Sequence, residues 1–268
     1  MDYGGFEVEK YKQIIERWKL KNIKTIPDLE AVLSNFRIVF AYNSGVIENS
    51  EISYHNTREV FENGKVVNFT GNLRTLYEMG NQKDCYEMMK VNIIEKDPIT
   101  PEFIKSIHYE LTKGTYDEDR YRKGERPGQF KLNDYCVADG QGALPEEVEE
   151  EINELCDELD GIPDKGDNIL KAAAYIHCKF ENIHPFADGN GRVGRTLMNY
   201  FLMINDYPPL VVFAETKDVY YKALAVYDKT GLVNDFVSYM KESLEQSWDI
   251  KEAPKKKLCE LIENTMEL

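Results

Sequence analysis

The chain has 268 residues, 42% of them hydrophobic, which is enough for a sizeable core and marks it as globular rather than disordered. Its formal charge of −15 and pI of about 4.8 argue against a bulk binder of nucleic acid or anionic membrane, so a phosphate site must be local, built from a few basic residues. The five cysteines form no CxxC pair, the start MDYGGFEVEKY has no signal-peptide pattern and no run of ~18 apolar residues exists; the expectation is a cytoplasmic chain with reduced thiols and no membrane span.

Helical periodicity dominates in chain order. Residues 7–20 read as an amphipathic helix with Tyr11, Ile14, Ile15, Trp18 and Leu20 on one side. Pro27-Asp28 opens a helix over 28–42, followed by the interrupted stretch SGVIENSEIS at 44–53. Residues 57–61 and 69–91 are helical again, with Gly80 a candidate break, and Pro101 starts a helix through Leu111. Residues 114–145 break the pattern: five Gly, two Pro and the strand-like pieces QFKL and DYCVA predict a loop or β-hairpin flap. Helices then follow after Pro145, after a cap at Asp167, over 192–205, over 216–228 and over 231–247, with a short amphipathic turn in the tail. The predicted fold class is all-α, a helical bundle with a small hairpin flap. It divides into an N-terminal helical region (1–95), a core (96–245) with the flap at about 120–140, and a C-terminal helical tail (246–268).

The chemistry concentrates in HPFADGNGRVGR, residues 184–195. Gly189, Gly191 and Gly194 allow backbone conformations that turn N–H groups inward as an anion nest, and the loop runs into a helix N-terminus, itself an anion site. Arg192 and Arg195, three apart, project to one side, each able to grip a phosphate with a forked pair of donors. Asp188 is a hard oxygen ligand suited to Mg²⁺ held by phosphates, and His184 can take a proton from an attacking hydroxyl; Phe186 anchors the loop in the core. Taken singly, a His before Pro is usually a helix end and DGNG usually a turn; jointly the residues match what a phosphorus-centred displacement needs. The Walker pattern GxxxxGK[ST] is absent.

These residues resemble the motif of Fic-domain proteins, HxFx[D/E]GNGRxxR, at every defined position, with AAAYIHCKFENIHPF before it and TLMNYFLMINDYPPL after it similar to the flanking helices. The resemblance covers roughly 40–240 and implies transfer of AMP from ATP, with Mg²⁺ or Mn²⁺, to a Ser, Thr or Tyr hydroxyl of a target protein or of the chain itself. It implies His184 as base, Asp188 as metal ligand, Gly189, Asn190 and Gly191 as anion hole, Arg192 for the inner phosphates and Arg195 for the γ-phosphate, with Asn199 facing the nucleotide. Relatives that transfer phosphate have Lys at the position of Gly191, and relatives that transfer phosphocholine have Ala at that of Gly189; Gly at both favours nucleotidyl transfer. RPGQFK resembles the family's flap, so Gly128, Gln129, Phe130 and Lys131 would dock a target segment in extended form. Tyr220 and Tyr221 are candidates to border the adenine, against the plainer reading as core aromatics.

Upstream, Ser44, Glu48 and Asn49 fit the family's inhibitory pattern [S/T]xxxE[G/N], implying a Glu48–Arg195 pair that occupies the γ-phosphate position; relatives commonly read IEGN where this chain has IENS. The alternatives are removal of AMP by the same site and a non-catalytic nucleotide-binding module. No nucleic-acid or membrane partner is expected, and self-modification and homo-oligomer formation stay open. His177 reads as core, and His55 and His108 show no partner pattern.

Overall fold

The structure, a computed structural model, describes residues 9–135, 142–159, 162 and 168–249. Twelve helices run through them: α1 Lys10–Lys19, α2 Ile26–Leu33, α3 Phe36–Val46, α4 Tyr54–Asn63, α5 Leu73–Glu95, α6 Pro101–Thr112, α7 Glu118–Arg122, α8 Val148–Glu158, α9 Asn168–Ile183, α10 Asn190–Ile204, α11 Lys217–Thr230 and α12 Asn234–Asp249. The all-α class holds, and no strand occurs among the described residues.

Local chemistry sets the helix starts. Thr25 and Asp28 form a reciprocal capping box on α2, while Ser53, Asn72 and Thr100 each accept a first-turn N–H of the helix that follows. The centre is the α9–α10 hairpin. Ala173, Ala174, Cys178 and Phe180 of α9 and Val193, Leu197, Met198 and Tyr200 of α10 are all buried, so both helices are sheathed by the others on most sides. The N-terminal helices share this core: Tyr11, Trp18, Leu29 and Leu33 pack into it, Trp18 meets Trp248 of α12 edge-on at 5.2 Å, and Phe36 stacks on Trp248 at 5.5 Å. The C-terminal end of α3, with Ser44, is thereby held against α10.

The sequence expectations need four corrections. The helix expected over 28–42 is two, parted at Ser34–Asn35; both residues stay in the right-handed helical region, which is why nothing in the sequence marks the break. Gly80 does not interrupt α5, which runs unbroken. Leu20 does not join the apolar side of α1; it lies beyond the helix end and is 83% exposed. The QFKL strand of the flap is absent, because its N–H groups bond side chains and a distant carbonyl instead of a partner strand: Leu132 N–H bonds Glu125 and Lys131 N–H bonds Pro185 O. Most of DYCVA, the Asp167 cap, Cys136, Cys259 and the tail from 250 on lie outside the described residues.

Candidate active site

The loop between α9 and α10 is shaped by its own side chains. His184 closes α9 through its N–H to Phe180 O and then turns left-handed (φ +51), after which Pro185 prevents continuation. Asn190 clasps Phe186 from both sides, its Oδ1 accepting the Phe186 N–H (2.9 Å) and its Nδ2 donating to the Phe186 carbonyl (2.7 Å). Phe186 is buried as expected, stacked at 3.7 Å on His108. Gly189 caps α10 with φ +87, and a Cβ there would sit 2.6 Å from Thr112 Cγ2, so conformation and space both demand glycine. The first bond within α10 runs from Val193 N–H to Gly189 O, which leaves the N–H groups of Asn190, Gly191 and Arg192 facing out of the helix start as an anion site. Asn190 serves that site through its backbone alone, since its side chain is committed to Phe186.

Arg195 is 1% exposed, and its guanidinium reaches the end of α3: Nε donates to Ser44 Oγ (3.1 Å), and Nη2 donates to Ser44 O (2.9 Å) and to Glu48 Oε1 (2.7 Å). Burial disfavours its charge, but Glu48, Tyr220 and Glu181 outweigh that and raise its pKa. The Glu48 carboxylate lies over the start of α10; a Cβ on Gly191 would be 2.3 Å from Glu48 Oε1. Asn49 points elsewhere, donating to Glu78 Oε2 (2.7 Å) and Thr75 Oγ1 (3.1 Å) of α5. Arg192 is buried between Glu78 and Asp188, 3.5 Å from each, with Nε and Nη1 lacking any hydrogen bond.

Three arginines surround Asp188: Arg74 Nη2 at 2.8 Å, Arg120 Nη2 at 3.4 Å and Arg192 Nη2 at 3.5 Å. Burial raises its pKa, yet Arg192, Arg74 and Arg120 more than offset this and keep the carboxyl below its ordinary range, ionised at neutral pH. Among the described residues no cluster of three His, Cys, Asp or Glu could hold a metal by itself. One ionised carboxylate beside an anion nest does fit Mg²⁺ or Mn²⁺ carried by substrate phosphates and water, the usual mode for Mg²⁺. His184 is neutral at physiological pH: burial, aided by the Lys131 charge, lowers its pKa to about 4, and its Nδ1 has no hydrogen-bond partner.

The remaining expected residues are placed less simply. Asn199 does not offer its amide to a nucleotide, for Nδ2 donates to Leu210 O and Oδ1 accepts from Leu210 N–H, both at 2.8 Å. Tyr220 is buried behind Arg195, its hydroxyl 2.9 Å from His177 Nε2 and 3.5 Å from Arg195 Nη1, too deep to border an adenine. Its neighbour Tyr221 is 46% exposed. In the loop after α7, Gly128 N–H donates to His108 Nδ1 (2.8 Å), Gln129 N–H to Arg126 O, and Lys131 N–H to Pro185 O; Phe130 packs on Phe186.

Sequence reasoning missed His108, Arg74, Arg120 and Glu78. With Nδ1 accepting from Gly128, His108 carries its proton on Nε2 and donates to Asp188 O (3.0 Å), joining the flap segment to the motif; burial holds its pKa at about 3. The only sequence signal was the i,i+4 spacing of Arg74 and Glu78.

Residues 98–202 match the family model described as Fic/DOC family. The resemblance to the Fic/DOC family is shown for that stretch of the chain. Over 221 residues it is 26% identical to "Protein adenylyltransferase fic-1" of Caenorhabditis elegans, covering 82% of this chain and 42% of that protein. Over 81 residues it is 40% identical to "Protein adenylyltransferase Fic" of Aedes aegypti, 30% of this chain and 16% of that one. Among solved structures, a Fic domain containing signaling protein from Bacteroides thetaiotaomicron superposes with a TM-score of 0.74 at 28% identity, covering 88% of this chain and 93% of that one. The chain thus spans less than half the length of the curated relatives it matches. The Fic match takes in α6 through most of α10; the helix bearing Arg74 and the turn bearing Glu48 precede it.

Proposed function

We propose that the chain is a protein adenylyltransferase, moving AMP from ATP to a hydroxyl of a protein segment, and that Glu48 restrains it. The observation that carries this reading is the Glu48–Arg195 pair at 2.7 Å, set over Gly191 beside the open N-terminus of α10. A carboxylate sits where an anionic substrate group would meet the nest and the buried arginine.

In the reaction the target hydroxyl attacks the α-phosphorus, the bond from that phosphorus to the bridging oxygen breaks, and pyrophosphate leaves. His184, neutral with its pKa near 4, takes the hydroxyl proton. The N–H groups of Asn190, Gly191 and Arg192 receive charge that builds on the phosphoryl oxygens. Arg192, with two buried nitrogens that make no hydrogen bond, grips the inner phosphates, and Arg195 takes the terminal one once Glu48 withdraws. A divalent ion on Asp188 would neutralise the leaving pyrophosphate. The target would lie along 128–133. There the N–H groups of Gly128, Gln129, Lys131, Leu132 and Asn133 already bond within the chain, so the target must donate its own N–H groups to carbonyl oxygens.

ATP labelled at the α- or the γ-phosphate, given to Glu48→Gly, tests the chemistry. Label entering protein from the α position alone supports AMP transfer; label from the γ position makes the enzyme a kinase.

A further inference from the structure

Arg74 stands in the first turn of α5 and reaches across 114 residues of sequence to the motif. Its guanidinium is forked between two carboxylates, Nε to Glu78 Oε1 at 2.9 Å and Nη2 to Asp188 Oδ2 at 2.8 Å. Glu78 is buried and fixed from its other side by the Asn49 amide at 2.7 Å, so the fork is anchored to the segment that carries Glu48. A divalent ion of the Mg²⁺ type sits about 2.1 Å from a carboxylate oxygen. An ion on Asp188 Oδ2 would face the Arg74 charge across that one oxygen, and the Arg120 charge beside it, in a part-buried site where like charges are poorly screened.

We propose that Arg74 is a positioning residue for Asp188 that competes with the divalent cation for its carboxylate. The inference rests on the transferase reading given above. In the resting site each charge of the incoming nucleotide–metal complex then has a stand-in from the chain: Glu48 for the terminal phosphate on Arg195, Arg74 for the cation on Asp188. Both lie N-terminal to the matched Fic region, and both are tied to residues 44–49, Glu48 directly and Arg74 through Glu78 and Asn49. Withdrawal of that segment takes a donor from Glu78, which then draws Arg74 toward itself and away from Asp188.

The test is Mn²⁺ binding without nucleotide, followed by loss of the free-ion EPR signal, on the full chain and on Arg74→Met, Arg74→Lys and Asp188→Asn. Arg74 is 38% exposed, so the expected gain is modest: the Asp188-dependent Mn²⁺ dissociation constant falls about 5- to 10-fold in Arg74→Met. Arg74→Lys, which keeps the charge, stays nearer the parent chain. Asp188-dependent binding that is equal or weaker in Arg74→Met, or missing altogether, overturns the inference. ATP binding to Glu48→Gly in EDTA, run beside it, separates the two ideas: its absence sinks the transferase reading and leaves the Mn²⁺ comparison to stand or fall alone.

Discussion

Removing the Glu48 carboxylate should tighten ATP binding. Glu48 Oε1 accepts from Arg195 Nη2 at 2.7 Å, and a nucleotide bringing its terminal phosphate to Arg195 must break that contact. A hydrogen bond between charged groups contributes ~1.5–3 kcal/mol. Arg195 is 1% exposed but Glu48 is 37% exposed, so solvent screening trims the value to roughly 1–2 kcal/mol. That corresponds to a dissociation constant about 5- to 30-fold lower in Glu48→Gly. Glu48→Gln, which keeps the volume and loses the charge, should fall between the two. Calorimetric titration with ATP in EDTA reads the difference without any contribution from a metal. Arg195→Ala in the Glu48→Gly background should cancel the gain, since the terminal phosphate then has no guanidinium to reach. A dissociation constant within twofold of the parent chain would refute the argument that Glu48 and ATP compete.

Acid should destabilise the fold as soon as pH falls below the ordinary histidine pKa. His108 and His177 (each about 3) and His184 (about 4) stay neutral in the fold, while in the unfolded chain they protonate near 6.5; their stabilisation is present above 6.5 and lost as pH falls toward those values. Glu181, raised to about 7 by burial, acts the other way between 7 and 4.5. Three protons against one predict a loss of roughly 2–3 kcal/mol per pH unit between about 6.5 and 4.5, visible as a falling urea midpoint; a flat profile would show that the imidazoles titrate freely. Gly189→Ala should cost ~1–3 kcal/mol and weaken ATP binding, because φ +87 is unfavourable for Ala and its Cβ would meet Thr112 Cγ2 at 2.6 Å. Asn199→Ala should destabilise by roughly 2–4 kcal/mol through the orphaned Leu210 amide, with ATP affinity unchanged; weakened binding at unchanged stability would restore the nucleotide-facing role.

The motif was legible because its chemistry is local. His184, Asp188, the glycines and both arginines lie within twelve residues, and a loop running into a helix start brings them together whatever surrounds it. Ser44 and Glu48 could be matched to Arg195 only through resemblance, for the pair spans 147 residues and rests on how α3 docks on α10. The partners of Asp188 were hidden for a similar reason. In sequence Arg74 and Glu78 show nothing beyond i,i+4 spacing, and only the tertiary fold turns the guanidinium onto the motif. Helical spacing alone could not give the partners of Asn199 and Tyr220: a side-chain amide suits a base and a backbone segment equally, and here Leu210 takes it. The QFKL strand is absent because alternation over four residues is a weak strand signal when the buried Glu125 takes the N–H groups of Leu132 and Asn133. The apolar pattern also could not show the break at Ser34–Asn35, since both residues keep helical backbone angles.

If one base and one inhibitory carboxylate govern AMP transfer, incorporation of α-labelled AMP shows it directly. Three proteins are compared with ATP and Mg²⁺ or Mn²⁺: the native chain, Glu48→Gly, and Glu48→Gly with His184→Ala. The first should take little label, the second clearly more and the third none. Label equal in the first two, or label that survives loss of His184, would contradict it.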